Sequence, residues 1–115
     1  VIMESPTWIE GIDVAVTVCD REGIIVYMND KSAQTFAADG GKALLGKNLL
    51  ACHPEPAREK IRHIMAAGIS NSYAIEKNGV KKLIHQVPWH ENGTLAGLVE
   101  FSLVIPLDLP HFVRG

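Results

Sequence analysis

The run GKNLLACHPEP, Gly46 to Pro56, concentrates the reactive side chains, with a thiol at Cys52 directly before an imidazole at His53. A thiol close to a helix N-terminus acquires a lowered pKa and becomes open to oxidation, which makes Cys52 a redox candidate. Nucleophilic catalysis needs a third group to orient the imidazole, and none is visible near His53, so the chain is not expected to be an enzyme. A small enzyme using Cys52 and His53 is the weakest of the alternatives. The same residues have a plainer reading. Pro54 and Pro56 suit the first turn of a helix, where backbone N–H groups lack partners, and Glu55 and Glu59 sit well near its positive end. That reading leaves His53 over. A neutral imidazole beside a cavity can exchange a hydrogen bond with a small ligand, so His53 is a candidate contact. The other histidines are His63, His85, His90 and His111. None pairs with a second His or Cys at compact zinc spacing, and adjacent residues rarely chelate together, so no metal is expected.

The elements that must position these groups follow from pattern. Ser5-Pro6 opens a short helix to Glu10 that carries Trp8 and Ile9. The β-branched run Asp13 to Asp20, the turn DREG and the strand GIIVYMN form a hairpin. Asn29 or Asp30 caps a helix from Lys31 to Ala38. After DGGK and a further turn, Pro56 to Ala67 is the best helix, with Ala57, Ile61, Ile64 and Met65 at helical spacing and Gly68 placed to cap it. Three strands follow: Ser70 to Lys77, Val80 to His90 and Thr94 to Ile105. Asn78-Gly79 and Asn92-Gly93, both type I′ hairpin signals, join them. No helix separates successive strands, so the class is α+β: one five-stranded antiparallel sheet with short helices and one longer helix on one face. The chain reads as a single domain, 1–115, with a flanking helix at 1–12 and a tail at 106–115.

Composition narrows the function classes. With 115 residues, a net charge of -2 and no basic patch, nothing points to nucleic acid or an anionic membrane surface. Two cysteines, Cys19 and Cys52, fit a reducing cytoplasm better than a disulfide scaffold. No apolar run is long enough to span a bilayer, and VIMESPTW lacks the pattern of a secretory signal.

Three stretches together carry a resemblance: VTVCDREGIIVYMNDKSAQTF (Val16 to Phe36), Gly46-Lys47-Asn48 before the long helix, and the ending NGTLAGLVEFSLVI. In this order and spacing the chain resembles a PAS domain, a sensory and ligand-binding signalling module. The resemblance implies a small molecule held between sheet and long helix, a homodimer and a signalling partner of unknown identity. The polar Asp-Ile-Thr that often ends the family's last strand is replaced by Val104-Ile105-Pro106. The light-sensing branch bonds flavin through a Cys directly after Gly-x-Asn. Here Leu49 takes that place and Cys52 comes three residues later, so a flavin adduct is not expected. Haem-binding members carry their axial His on the long helix. Here that is His63, which falls far round from the apolar arc, so haem would have to use His53 and is not favoured.

Strand alternation supplies further candidates. Leu83, His85, Val87 and Trp89 share one face, with Lys82, Ile84, Gln86 and His90 on the other. His85 is therefore either a satisfied core histidine or a ligand contact. Tyr27 and Tyr73 could aim hydroxyls into the same space. The last strand has an apolar face, Val99, Phe101, Leu103 and Ile105, and a face with Glu100 and Ser102. One face meets the helices, and the other meets a second subunit or the N-terminal helix. Trp8, Ile9 and Phe112 are the expected dimer contacts. The alternative to a ligand sensor is an interaction module with a filled core.

Overall fold

A computed structural model describes residues 4–50 and 54–115. Cys52 and His53 lie outside the described residues. The chain runs α1 (Thr7–Glu10), β1 (Ala15–Asp20), β2 (Ile25–Met28), α2 (Asp30–Thr35), two 3-10 turns (Ala37–Asp39 and Gly41–Leu44), α3 (Ala57–Ala67), β3 (Asn71–Lys77), β4 (Val80–Glu91) and β5 (Thr94–Ile105). The five strands form one antiparallel sheet in the order β2-β1-β5-β4-β3. The expected fold class is what the chain adopts. Among the described residues no helix is long and apolar enough to cross a membrane.

Local chemistry accounts for the boundaries. Asn78 and Asn92 take positive φ, 53° each, followed by Gly79 and Gly93 at 78° and 79°, the type I′ geometry that joins β3 to β4 and β4 to β5. Gly68, at φ 66°, ends α3 and donates its N–H to the Ile64 carbonyl. The helix expected to reach Ala38 stops at Thr35. The Gly41 N–H turns back to the Phe36 carbonyl, and Gly40 and Gly41 adopt φ 118° and 56°, which no regular helix accommodates. Ser5 does not cap α1; its hydroxyl donates to the Glu10 carboxylate at 2.7 Å instead.

Asn29 ties the N-terminal half together. It is fully buried. Its Oδ1 accepts from Ser32 N at 2.9 Å, capping α2, and from Val16 N at 3.0 Å in β1. Its Nδ2 donates to the carbonyls of Ile9 and Val14 at 2.9 and 2.8 Å. One amide thus uses both its donors and its acceptor to hold α1, β1 and α2 in a fixed relation.

The sheet is apolar on both faces, which requires cover on both. On the helical face Ile61, Ile64 and Met65 of α3 pack on Cys19 and Leu98, with Leu49, Leu50 and Leu95 around them. On the outer face Val16, Val18, Val26 and Tyr27 gather Ile9, Ile12, Val14, Trp89, Val99 and Phe101. The N-terminal segment therefore covers the β1–β5 part of the outer face. Trp89 Nε1 donates to the Cys19 carbonyl at 3.1 Å and locks β4 across β5 to β1.

Candidate functional site

Alternation along the strands sends Lys82 and Ile84 of β4, Leu98, Glu100 and Ser102 of β5, and Thr17 and Cys19 of β1 to the helical face. These residues, with Tyr73 and Ile75 of β3 and Ile25 and Met28 of β2, form the floor of a cavity of about 570 Å³. Its opposite wall is Thr35, Phe36, Asp39, Leu44 and Leu49. That volume falls within the range of small-molecule sites. No residue of α3 lines it. The expectation of a space between the sheet and the 56–67 helix is thus corrected. Ile61, Ile64 and Met65 fill the gap beneath that helix, and the space opens under α2 and the 3-10 turns.

The cavity is mainly apolar, and its polar groups are held in place. Asn71 Nδ2 donates to Gln86 Oε1 at 3.0 Å, and Gln86 Nε2 donates to Glu100 Oε2 at 3.0 Å. Gln86 is buried, so this relay fixes the Glu100 carboxylate and leaves its Oε1 outside that bond. The Thr17 and Ser32 hydroxyls are 2.6 Å apart. Ser102 is buried on the floor. Burial, then the nearby Glu100 carboxylate, raises the Tyr73 phenol above its ordinary value and keeps it a neutral hydrogen-bond donor. Burial pushes the Cys19 thiol up to about 11, so it meets the cavity protonated and unreactive.

The candidates drawn from sequence are divided by this geometry. Tyr73 lines the cavity, half-exposed at its margin. His85 does not line it. The cavity takes Lys82 and Ile84 of β4, and the intervening alternation turns His85 to the other face, where its Nδ1 lies 2.6 Å from Ser72 Oγ. Tyr27 is also off the cavity. Two residues of β2 oppose one of β1 at a bulge beside Cys19, and Tyr27 joins the outer-face cluster. Its hydroxyl donates to the Glu10 carboxylate in a small polar recess with Ser5 and Lys42. That bond and the one from Ser5 hold the Glu10 carboxyl below the usual carboxylate range, while burial and then Glu10 raise the Tyr27 phenol. Ile9 packs within its own chain, whereas Trp8 and Phe112 are 64% and 73% exposed. His63 is exposed on α3. Leu49, which takes the place of the flavin-bonding cysteine, contributes an aliphatic side chain to the wall. No group of three or more potential metal ligands occurs among the described residues.

Glu100, Ser102, Thr17 and Lys82 were not singled out by sequence. A signal was there: a carboxylate and a hydroxyl two residues apart interrupt the otherwise apolar LAGLVEFSLVI on one face of the strand.

A family model described as the PAS fold matches residues 9–105. Among curated protein sequences none matches the chain. Among solved structures, a sensory box sensor histidine kinase of Vibrio cholerae superposes with a TM-score of 0.64 at 18% identity, over 87% of this chain and 88% of that one. The Aer2 receptor of the same organism, described as a dual PAS-heme oxygen sensor, gives 0.60 at 22% identity, over 84% and 98%. The Vibrio cholerae VqmA dimer gives 0.68 at 15% identity, over 95% of this chain and 55% of VqmA. These likenesses concern the fold. The match across 9–105 and the β2-β1-β5-β4-β3 sheet lead to one conclusion: the chain belongs to the PAS family.

Proposed function

We propose that this domain is the sensor module of a signalling protein, that it binds a small molecule in the cavity over the inner face of the sheet, and that it acts by binding without turnover. The observation that carries the reading is an apolar space of about 570 Å³ with hydrogen-bonding groups fixed in its floor. A filled core would leave no such space, because an unfilled apolar space costs packing energy. Two neighbours of this fold support the reading by their own descriptions: VqmA has been seen bound to DPO, and Aer2 is a haem oxygen sensor. Haem remains a secondary reading for this chain, since no histidine is among the described lining residues. Occupancy would pass through the sheet to its outer face, with Trp8, Phe112 and the apolar 106–115 tail as contacts to a second copy and thence to a signalling partner. The setting proposed is the cytoplasm, with no role for nucleic acid or membrane.

Native mass spectrometry of protein purified without denaturation tests the reading. A retained small-molecule mass, released on unfolding and absent from Ser102→Phe, is the expected result. Adduct-free spectra for both wild type and a folded Ser102→Phe variant, each at its own sequence mass, at saturating ligand-library concentrations would favour the interaction-module alternative. Sedimentation of wild type against Trp8→Glu reports separately on the dimer.

A further inference from the structure

We propose that the ligand of this cavity is a small apolar molecule carrying one protonated amine, recognised by the Glu100 carboxylate. The inference rests on the ligand-binding reading above and adds the ligand's chemistry.

The argument turns on where the charges sit. Among the described residues three charged ones line the cavity: Asp39, Lys82 and Glu100. Lys82 lies in the cross-strand row between Ile75 and Val104, which are 46% and 56% exposed. Asp39 is exposed on the opposite wall. These two opposite charges stand at the mouth, where water screens them and their contributions to the interior oppose each other. Glu100 is in a different row, flanked across the strands by buried Gln86 and buried Thr17. Half-buried like Lys82, it is the charged group that the described lining places in that inner row. A charge with buried neighbours on both sides is screened by water less than one at the rim. The interior of the cavity therefore presents net negative potential and one aimed acceptor, while the walls around it, Cys19, Ile25, Met28, Phe36 and Leu98, are apolar.

The carboxylate is also pre-organised. The Asn71–Gln86–Glu100 relay holds Oε2, so a ligand ammonium meeting Oε1 need not order the side chain first. Ser102 and Tyr73 occupy the next row toward the mouth and supply hydroxyls beside the same head group. An anionic ligand would have to leave its own charge at the rim by Lys82, away from the carboxylate.

The test compares three ligands of one ring system and similar size, tryptamine, tryptophol and indoleacetate, by isothermal titration calorimetry on the intact chain. Tryptamine is expected to bind at least tenfold more tightly than the other two. Glu100→Gln, which keeps shape and can keep the Gln86 bond, should weaken tryptamine by roughly tenfold to a hundredfold, the worth of a charge-assisted hydrogen bond. Lys60→Met, at an exposed position of α3 away from the lining, should leave it within about twofold, as expected for a screened surface charge. If Glu100→Gln fails to fold, Glu100→Asp withdraws the carboxylate and should weaken tryptamine in the same sense. Preference for indoleacetate, tryptamine binding that ignores both Glu100 variants, or no tryptamine binding at millimolar concentration would each overturn the inference. A retained anionic or neutral molecule in the native mass spectrum would overturn it while leaving the ligand-binding reading intact.

Discussion

Asn29→Ala removes four hydrogen bonds at a point where three elements meet. Loss of the α2 cap alone is worth about 1 kcal/mol. The Val16 N–H is buried and keeps no partner, a cost of about 1–3 kcal/mol. The Ile9 and Val14 carbonyls are part-buried and can recover some hydration, so each loses about 0.5–1 kcal/mol. The terms share one side chain and are not fully additive, which places the total at about 3–5 kcal/mol. For a chain of 115 residues, with an unfolding entropy of about 2.1 cal/mol/K per residue, each kcal/mol shifts the midpoint by about 4 °C. Thermal unfolding followed by circular dichroism should therefore show a drop of about 12–20 °C, with a matching fall in the urea midpoint at constant slope. Asn29→Asp is the sharper probe. It is isosteric, yet it turns an acceptor toward two carbonyls and buries a charge, so its loss should equal or exceed that of alanine. A loss below about 1 kcal/mol in both variants would refute the reasoning.

The remaining predictions concern the sheet and its titrating groups. A Cβ on Gly97 would lie 1.9 Å from the Cys19 carbonyl oxygen, where β1 and β5 pair, so Gly97→Ala should cost about 3 kcal/mol or more, or yield no soluble fold, by urea titration. Burial raises Cys19 from 9.0 to about 11, so between those values the folded chain keeps a proton the unfolded chain has lost. Stability from this group is full below pH 9.0 and falls by roughly 2–3 kcal/mol toward pH 11, with Tyr27 and Tyr73 acting in the same direction; urea midpoints should show a shallower alkaline slope in Cys19→Ala than in wild type. Glu10 is lowered by its bond from Tyr27, so its contribution is present above its ordinary value of 4.5 and lost as pH falls through the lowered one. Tyr27→Phe should therefore reduce the acid sensitivity of the midpoint, and an unchanged acid slope would count against the Glu10–Tyr27 pairing.

What was legible in the sequence was what local chemistry decides. Asn-Gly pairs allow only one tight turn between strands, an Asn before a small-residue run caps a helix, and a polar–apolar alternation sets the strand period. Together these yield the sheet and the element order. Alternation does not say which face is roofed. His85 and Ile84 are one residue apart, and only the tertiary placement of α2 decides that Ile84 meets the cavity. Tyr27 was displaced by a bulge, one extra residue in β2 that no composition signal announces. The cavity lies under α2 and not α3 because Ile61, Ile64 and Met65 fill the gap beneath α3, while Leu44 and Leu49 stand on the wall opposite the sheet. The apolar face of β5 is the ordinary sign of a core, whereas Glu100 and Ser102 on its other face line the cavity.

The central claim is that the space over the inner face of the sheet is a binding site. Two-dimensional amide NMR of the labelled chain against a library of small apolar fragments with amine, hydroxyl and carboxylate groups measures this directly. The account predicts saturable shifts centred on Thr17, Ile84, Leu98 and Ser102, with the outer-face residues Val16, Val99 and Phe101 following more weakly. Shifts centred on the outer face, or a library that moves no inner-face amide, would contradict it.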